Sequence, residues 1–349
     1  MRVLVASDMV GALGSAAAGQ VLGAAWAERG AEVTVVPAGE AGAGCLAAAA
    51  SASAVRLEVH AQDAMVVTSG AGSGRALLRV EDPEPIAGLP LALSSAPLGR
   101  ALAALLAAAR PTTVLVDLTG LPVHDGGAGL LGALGATADR PLDAGADGLA
   151  GLTRVDVTPA RALLQGVDLV GVVPPQERER PLLGLRGITS LRGREAGLDP
   201  AVLLRVDADL TTLAAQVAPG HAGTPGAGAC GGLGLAVLAL GGRLSTGAAL
   251  TLGAAPVAAV DLVVTGCSVF DFGSRGGGVV AEAARRAAEV LAPCVVVAGE
   301  VLIGSREMRT MGIEAAYGVR ASSADAPAGG VGTDELAATA RRVARSWSW

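Results

Sequence analysis

The chain has 349 residues, of which 51% are hydrophobic and 17% charged, a composition that indicates a folded protein long enough for two domains. Its net charge of -6, with arginines scattered along the sequence, excludes the basic surface that nucleic-acid binding requires. All 26 basic residues are arginine, which excludes a P-loop lysine, a lysine nucleophile and a Schiff base.

Hydrophobic patterning predicts neither a membrane span nor a signal peptide. The apolar runs are too short to cross a bilayer, and the first one meets Asp8 too early to be a signal segment. We therefore expect a cytoplasmic protein with no membrane partner.

The first elements in chain order alternate between strand and helix. Apolar runs predict a strand at 3–6, a helix at 15–29 and a strand at 33–36. This is the pattern of an open, mostly parallel sheet, whose ligands lie beyond the carboxyl ends of its strands. Asp8 and Glu40 fall at such ends, where they could bind Mg²⁺ or polarise a hydroxyl, or could instead cap the next helix.

A domain crossing is expected near residues 83–90. Short β-rich runs between 57 and 80, broken by glycines at 70–74, predict a hairpin or meander, and three prolines follow. We expect two α/β domains with a cleft between them. These are a discontinuous, Rossmann-like domain with a largely parallel sheet over 1–84 plus 241–349, and an inserted α/β domain over 85–240.

The stretch 123–135 follows a predicted helix at 97–109 and a predicted strand at 113–118. It contains His124, Asp125, Gly126 and Gly127 just before a helical pattern. Asp125 is placed as a helix N-cap, and the glycines would let backbone N–H groups approach a phosphate or carboxylate. Alternatively, Asp125 only caps a packed helix and the glycines only permit close packing.

The next segments predict a buried strand at 167–173, a solvated charged loop at 176–180 and a long helix from Asp199 to about residue 218. A second glycine-rich stretch at 226–234 contains Gly231 and Gly232 and leads into an apolar helix. These glycines could cradle phosphates at a helix start or let two helices touch.

The last part of the chain completes an α/β pattern. A strand at 261–265 leads through Gly266 to Asp271 and Arg275, and a helix at 279–291, a strand at 294–298 and a helix at 334–345 follow. The glycines after the first strand do not form G-x-G-x-x-G, so a dinucleotide-dependent oxidoreductase is a weak interpretation.

The order of these motifs resembles the bacterial type-one glycerate kinase family over nearly the whole chain. The stretches that carry the resemblance are Asp125–Gly129, Gly226–Gly234, Asp261–Gly266 and Pro181–Gly184. It implies ATP-dependent phosphorylation of D-glycerate or a similar hydroxy acid on a two-domain α/β fold, with Mg²⁺ as cofactor. A homodimer is left open.

The resemblance implies roles for residues that match the family's motifs. Asp125 or Asp8 would orient or deprotonate the substrate hydroxyl. Asp271 would be a catalytic carboxylate and the Mg²⁺ partner, and Arg275 would be the charge clamp, a positive group that binds the negative charge of the transferring phosphoryl group. Ligand-binding roles fall on His124, Glu40, Gly126, Gly127, Gly231, Gly232 and Gly266.

Several family positions are changed in this chain. Met9, Val10 and Gly11 stand where the family has Ser, Phe and Lys, and His124 replaces an Asn. After Gly266 only the acid at Asp271 matches the family's acidic motif. The alternative is therefore a catalytically impaired relative that serves as a ligand-binding or regulatory protein.

Overall fold

The computed structural model describes residues 1–39, 55–60, 66–72, 74–80, 88–253, 255, 259–273, 275–320 and 330–349, with backbone alone for 55–60, 66–72 and 80. Its strands are β1 (Arg2–Ser7), β2 (Glu32–Pro37), β3 (Val55–His60), β4 (Val66–Gly72), β5 (Arg75–Val80), β6 (Thr113–Asp117), β7 (Thr137–Ala138), β8 (Val155–Asp156), β9 (Asp168–Val172), β10 (Arg243–Ser245), β11 (Leu262–Asp271), β12 (Cys294–Leu302) and β13 (Ala315–Gly318).

The helices alternate with these strands. They are α1 (Ser15–Ala27), α2 (Ala96–Ala109), α3 (Ala128–Ala133), α4 (Thr158–Leu163), α5 (Ile188–Glu195), α6 (Pro200–Val217), α7 (Ala229–Ala239), α8 (Gly247–Gly253), α9 (Gly277–Glu289), α10 (Ser305–Thr310) and α11 (Thr333–Ser346). Two short 3₁₀ helices lie at Ala146–Leu149 and Pro175–Glu177. No helix in the described ranges is both long and apolar enough to cross a membrane.

The contacts divide the chain into two units. Unit 1 is Met1–Ala49 with Thr246–Trp349, and unit 2 is Ala50–Ser245. The first boundary differs from the one expected at 84/85, because β5 is hydrogen-bonded to β6 and so joins β3–β5 to the sheet of unit 2. The local pattern of apolar residues cannot predict pairing between strands that lie more than thirty residues apart in the chain.

Unit 1 is a doubly wound α/β layer structure. Its five strands are all parallel, in the order β13-β12-β11-β1-β2. Alternate residues of β1 face opposite sides, as the two-residue period of a strand requires. Val3 and Val5 pack with Leu22 and Trp26 of α1, while Leu4 on the other face packs in a core formed with α8 and α9.

Unit 2 has a mixed six-stranded sheet in the order β10-β9-β6-β5-β4-β3. Strands β5, β6, β9 and β10 are parallel, and β3–β5 form an antiparallel meander. The predicted hairpin around residues 70–74 is confirmed, because β4 and β5 are antiparallel partners and Gly72 pairs with Arg75 at the end nearest the turn. Its core consists of Ala, Leu and Val side chains, so helices approach closely; a Cβ on Gly99 would lie 2.6 Å from the carbonyl oxygen of Leu130.

Candidate functional site

The strand order of unit 1 places a topological switch point between β1 and β11. From β1 the chain winds to β2 on one side and later to β11 on the other, and ligands of such sheets bind at the carboxyl ends of the strands there. The N–H of Asp8 donates to the carbonyl of Gly266 at 3.0 Å. A Cβ on Gly266 would lie 2.5 Å from the Ser7 hydroxyl, so glycine is required for this approach.

The loop after β1 is fixed to the end of β11 by one side chain. The Ser268 hydroxyl accepts a hydrogen bond from the N–H of Gly11 at 3.0 Å and donates to the carbonyl of Met9 at 3.2 Å. This side chain therefore holds the backbone that follows Asp8. Two predicted site positions, Asp8 and Gly266, are thus adjacent.

Two aspartates of unit 1 that were predicted as site residues raise the pKa of the same buried thiol. Burial raises the pKa of Cys267 to about 12, and the negative charges of Asp8 and Asp271 contribute to the increase. Burial also raises the pKa of Asp8, although a 2.8 Å hydrogen bond from the Met9 N–H opposes that shift. Each of the two aspartates therefore lies near enough to Cys267 to affect its thiol.

Arg275, the predicted charge clamp, lies just beyond Asp271. Its N–H donates to the Asp271 carbonyl at 3.0 Å, and its backbone is left-handed, with φ of 53°. Its guanidinium lies over the ring of Phe272, 5.9 Å from the centroid, and that ring is 65% exposed. The other predicted acid of this unit, Glu40, lies outside the described residues.

Asp125 in unit 2 is completely buried and joins the starts of two helices. Its Oδ2 accepts from the N–H and hydroxyl of Ser95, both at 2.8 Å, and from the N–H of Gly129 at 3.1 Å. Its Oδ1 accepts from the N–H of Gly127 at 2.9 Å. Burial raises the pKa of Asp125, and these four hydrogen bonds oppose the increase.

These bonds give Asp125 a different position from the N-cap expected from the sequence. The residue that caps α3 is Gly127, in a left-handed conformation, and Asp125 precedes it by two positions. Its carboxylate fills the positive ends of α2 and α3, where we expected an external phosphate or carboxylate. The structure thus gives Asp125 the contacts of the capping alternative.

The two predicted glycine cradles of unit 2 pack against each other. The N–H of Gly126 donates to the carbonyl of Gly231 at 3.1 Å. A Cβ on Gly231 would lie 1.9 Å from the Val123 carbonyl oxygen, and one on Gly232 would lie 2.6 Å from the Cα of Gly126. These three glycines and Gly127 have positive φ and are buried. In this structure they allow backbone segments to pack closely.

His124 is buried and neutral at pH 7. Its Nε2 lies 3.0 Å from the hydroxyl of Thr189, and its Nδ1 is buried with no hydrogen-bond partner in the described residues. Burial lowers the pKa of His124 from its ordinary value of 6.5 to about 4, and the positive charge of Arg192 adds to this effect. The ring therefore acts as a neutral group.

Sequence reasoning missed two acids at the carboxyl end of the unit 2 sheet. Glu177 was assigned to a solvated loop, which is wrong. Its Oε1 lies 3.4 Å from Arg192, and its Oε2 accepts a 2.5 Å hydrogen bond from the N–H of Cys230. Asp117, the last residue of β6, is buried and accepts two hydrogen bonds from Thr119.

A signal for both acids was available in the predicted strands. Asp117 is the last residue of β6 and Glu177 comes five residues after β9, so both acids lie near carboxyl ends of parallel strands, the criterion that selected Asp8. We name Asp117, Glu177, Arg192 and Cys230 the carboxyl-end cluster. The charges of its two acids and of its arginine all affect the pKa of Cys230, which burial raises most strongly.

The described residues contain no group of three His, Cys, Asp or Glu side chains arranged to hold a metal ion. Mg²⁺ in nucleotide-dependent enzymes needs only one or two carboxylates, because phosphate oxygens and water supply the other ligands. Asp8 and Asp271 have the donor chemistry for such a partial site.

Comparison with known proteins gives consistent matches. The sequence profile of the glycerate kinase family matches residues 3–348. An uncharacterised protein of Mycobacterium bovis is 33% identical over 237 residues, which are 66% of this chain and 56% of that protein. The glycerate kinase of Bacillus cereus is 26% identical over 248 residues, which are 67% of this chain and 64% of that enzyme. The chain thus spans less than two thirds of these relatives.

The fold is also found in a solved structure. A crystal structure from Salmonella typhimurium LT2, named as a glycerate kinase 2, superimposes with a TM-score of 0.73. It covers 99% of this chain and 96% of its own, at 21% sequence identity. At that identity the likeness establishes the shared α/β fold.

Replacement of His124 by Gln should remove part of the acid sensitivity of unfolding. The pKa of His124 is lower in the folded state than in the unfolded state. His124 therefore does not lower the free energy of unfolding above pH 6.5, but it lowers it progressively as pH falls towards 4, because only the unfolded chain then binds the proton. The natural chain should lose about 3 kcal/mol more unfolding free energy than H124Q over this window. Urea unfolding at several pH values measures the difference, with exposed His221→Gln as control. Parallel pH profiles for the natural chain and H124Q would contradict it.

Replacement of Glu177 by Ala should destabilise unit 2. It leaves the buried Cys230 N–H without its acceptor and removes the ion pair of Arg192, which keeps its hydrogen bond to the Val123 carbonyl, at a cost of about 1–3 kcal/mol. The matched control is Glu179→Ala two residues away, which is exposed and should change stability by less than about 0.5 kcal/mol. Urea midpoints of the two variants give the comparison, and equal midpoints would show that the carboxyl-end cluster does not contribute.

Proposed function

Because the chain belongs to the glycerate kinase family, we propose that it transfers the γ-phosphoryl group of ATP to a hydroxyl of D-glycerate, giving phosphoglycerate and ADP. The observation that carries the proposal is the placement of two carboxylates on neighbouring parallel strands of unit 1, with Asp8 just after β1 and Asp271 as the last residue of β11. Relatives named glycerate kinase in several bacteria support the reaction.

The chemistry required of the chain is mainly positioning and charge stabilisation. The substrate hydroxyl oxygen forms a bond to the γ-phosphorus, the bond from that phosphorus to the bridging oxygen breaks, and ADP leaves with the bond's electrons. The hydroxyl proton passes to a carboxylate. We propose Asp8 as this acceptor, because its burial-raised pKa makes it a stronger base than an ordinary aspartate.

Asp271 fits the role of the residue that holds Mg²⁺ with the nucleotide phosphates. The ion, when bound, would neutralise charge that develops on the transferring phosphoryl group. Arg275 is anchored to Asp271 through the backbone and is proposed to supply a further positive charge in a chain without lysine. Glu40 remains a proposed ligand-binding residue.

We propose that the adenine base lies on an apolar surface beside these acids. Nine large hydrophobic side chains are exposed in the described residues, and four of them lie at the ends of β1, β11 and β12: Met9, Val269, Phe272 and Leu302. These three strands are neighbours in the sheet, and we propose that the four side chains form one surface. We name it the apolar patch; a nucleobase stacks well on an exposed aromatic ring.

In unit 2 we propose positioning roles for the predicted site residues. Asp125 has no exposed oxygen and already accepts four hydrogen bonds, so it is better suited to fixing the loop after β6 than to accepting a proton. His124, Gly126, Gly127, Gly231 and Gly232 shape the same loop through buried contacts. A ligand that contacts this loop would meet a rigid backbone.

Replacement of Asp271 by Asn should lower kcat for D-glycerate phosphorylation by about a hundredfold, since it removes one charge that acts in the transition state. A coupled assay for ADP formation with ATP, Mg²⁺ and D-glycerate measures the rate. Exposed Asp334→Asn is the control and should retain the natural rate. Absence of turnover in the folded natural chain would overturn the proposed activity and favour a binding or regulatory protein.

Replacement of Phe272 by Ser should raise KM for ATP about tenfold and leave KM for D-glycerate nearly unchanged, because stacking on an aromatic ring contributes to binding of the base. Leu204→Ser, an exposed apolar side chain of unit 2, is the matched control. Unchanged KM for ATP in F272S would remove the apolar patch from the nucleotide site. A change in oligomeric state instead would identify the patch as an interface between copies.

A further inference from the structure

Unit 2 contains a cavity that the proposed reaction does not use. It has a volume of about 470 Å³ and lies between α2, the end of α3 and the segment after β7. Arg100, Arg140 and Asp143 line it. From these residues we propose that the cavity binds a small hydroxylated organic phosphate.

The two arginines have guanidinium groups available for a ligand. Within the described part of the chain, the side chain of neither Arg100 nor Arg140 makes a hydrogen bond or an ion pair. Other arginines of the same unit, Arg192, Arg205 and Arg243, are each paired with an acid. The lining of the cavity thus combines two exposed arginines that have no acid partner, and the guanidinium of Arg140 lies beside Gly151.

The rest of the lining leaves room for a ligand. It consists mainly of small side chains, including Ala96, Ala133 and Ala138, with Leu142 as the larger apolar residue. The volume lies within the range of small-molecule sites, which run from about 300 to about 1,000 Å³. The cavity therefore combines space for a small molecule with two positive groups at its wall.

The charges of the lining define the chemistry of the ligand. A guanidinium presents paired N–H donors that match phosphate oxygens, and two of them favour a dianion. Asp143 is a carboxylate that can only accept hydrogen bonds at neutral pH, so it requires a donor on the ligand. A phosphate joined to a carbon chain with a hydroxyl satisfies both requirements.

Occupancy of the cavity would act on the helix pair that Asp125 joins. Ala96 begins α2 directly after Ser95, and Ala133 ends α3, the helix whose N-terminus Asp125 also binds. A ligand held by Arg100 on α2 and by Arg140 beyond α3 would tie these elements together. Binding to the folded state alone raises stability, so unit 2 should unfold at higher temperature when the ligand is present.

Isothermal titration of the natural chain with glycerol 3-phosphate, without nucleotide, tests the site. We expect saturable 1:1 binding that weakens about tenfold in Arg100→Ala and about tenfold in Arg140→Ala, because each loses a charge-assisted hydrogen-bond donor. Arg154→Ala, an exposed arginine of unit 2 outside the cavity, should bind like the natural chain. Asp143→Ala should weaken glycerol 3-phosphate binding but not the binding of inorganic phosphate.

The outcomes separate this site from the proposed reaction. Equal affinity in the natural chain and in the variant carrying both Arg100→Ala and Arg140→Ala would overturn the proposal, as would absence of binding. Arg100→Gln and Arg140→Gln replace the alanine variants if circular dichroism shows that those unfold. Since the readout is binding without ATP, loss of the kinase activity would leave the result unaffected.

Discussion

The buried carboxylate of Asp125 is the interaction on which the local structure of unit 2 depends. It receives hydrogen bonds from backbone N–H groups at the starts of both α2 and α3, so one internal anion satisfies donors that would otherwise be orphaned in the core. The two helices can therefore begin side by side, because both oxygens of the buried Asp125 carboxylate accept hydrogen bonds from them. The same arrangement fixes the loop that carries His124 and the glycines, at the carboxyl end of the sheet.

The composition of the chain determines how its backbone packs. With 51 glycines, few aromatics and a core of Ala, Leu and Val, segments approach closely enough that a Cβ would collide with a neighbouring carbonyl, as at Gly231. Glycine-rich stretches are consequently weak indicators of phosphate cradles in such a chain, because close packing alone requires them. The cradle at Gly126 and Gly231 is filled by backbone, whereas Gly266 brings two strands together at the switch point of unit 1.

Most of the fold could be predicted from local patterns, and the remainder depended on long-range pairing. The period of apolar residues located β1, α1, β2, α2, β6, α6, α9, β12 and α11 within a few residues, whereas β11 continues to Asp271, six residues beyond its expected end at 265. It could not show that β5 pairs with β6, nor that Glu177 meets Arg192 and the distant N–H of Cys230. The sequence of a charged run predicts an exposed loop, because the burial of one of its residues depends on contacts with residues that are distant in the chain.

In a chain without lysine, the charge of a bound phosphate can be neutralised only by guanidinium groups, backbone N–H groups and metal ions. In unit 2 the helix N-termini near the candidate site are already neutralised by Asp125, so they cannot also bind a substrate anion. Arginine is then the side chain left to bind phosphate, through a planar group of N–H donors that matches phosphate oxygens. The arginine beside Asp271 and the two arginines that line the cavity of unit 2 carry such groups, and both proposed ligands, the nucleotide and the organic phosphate, are anionic.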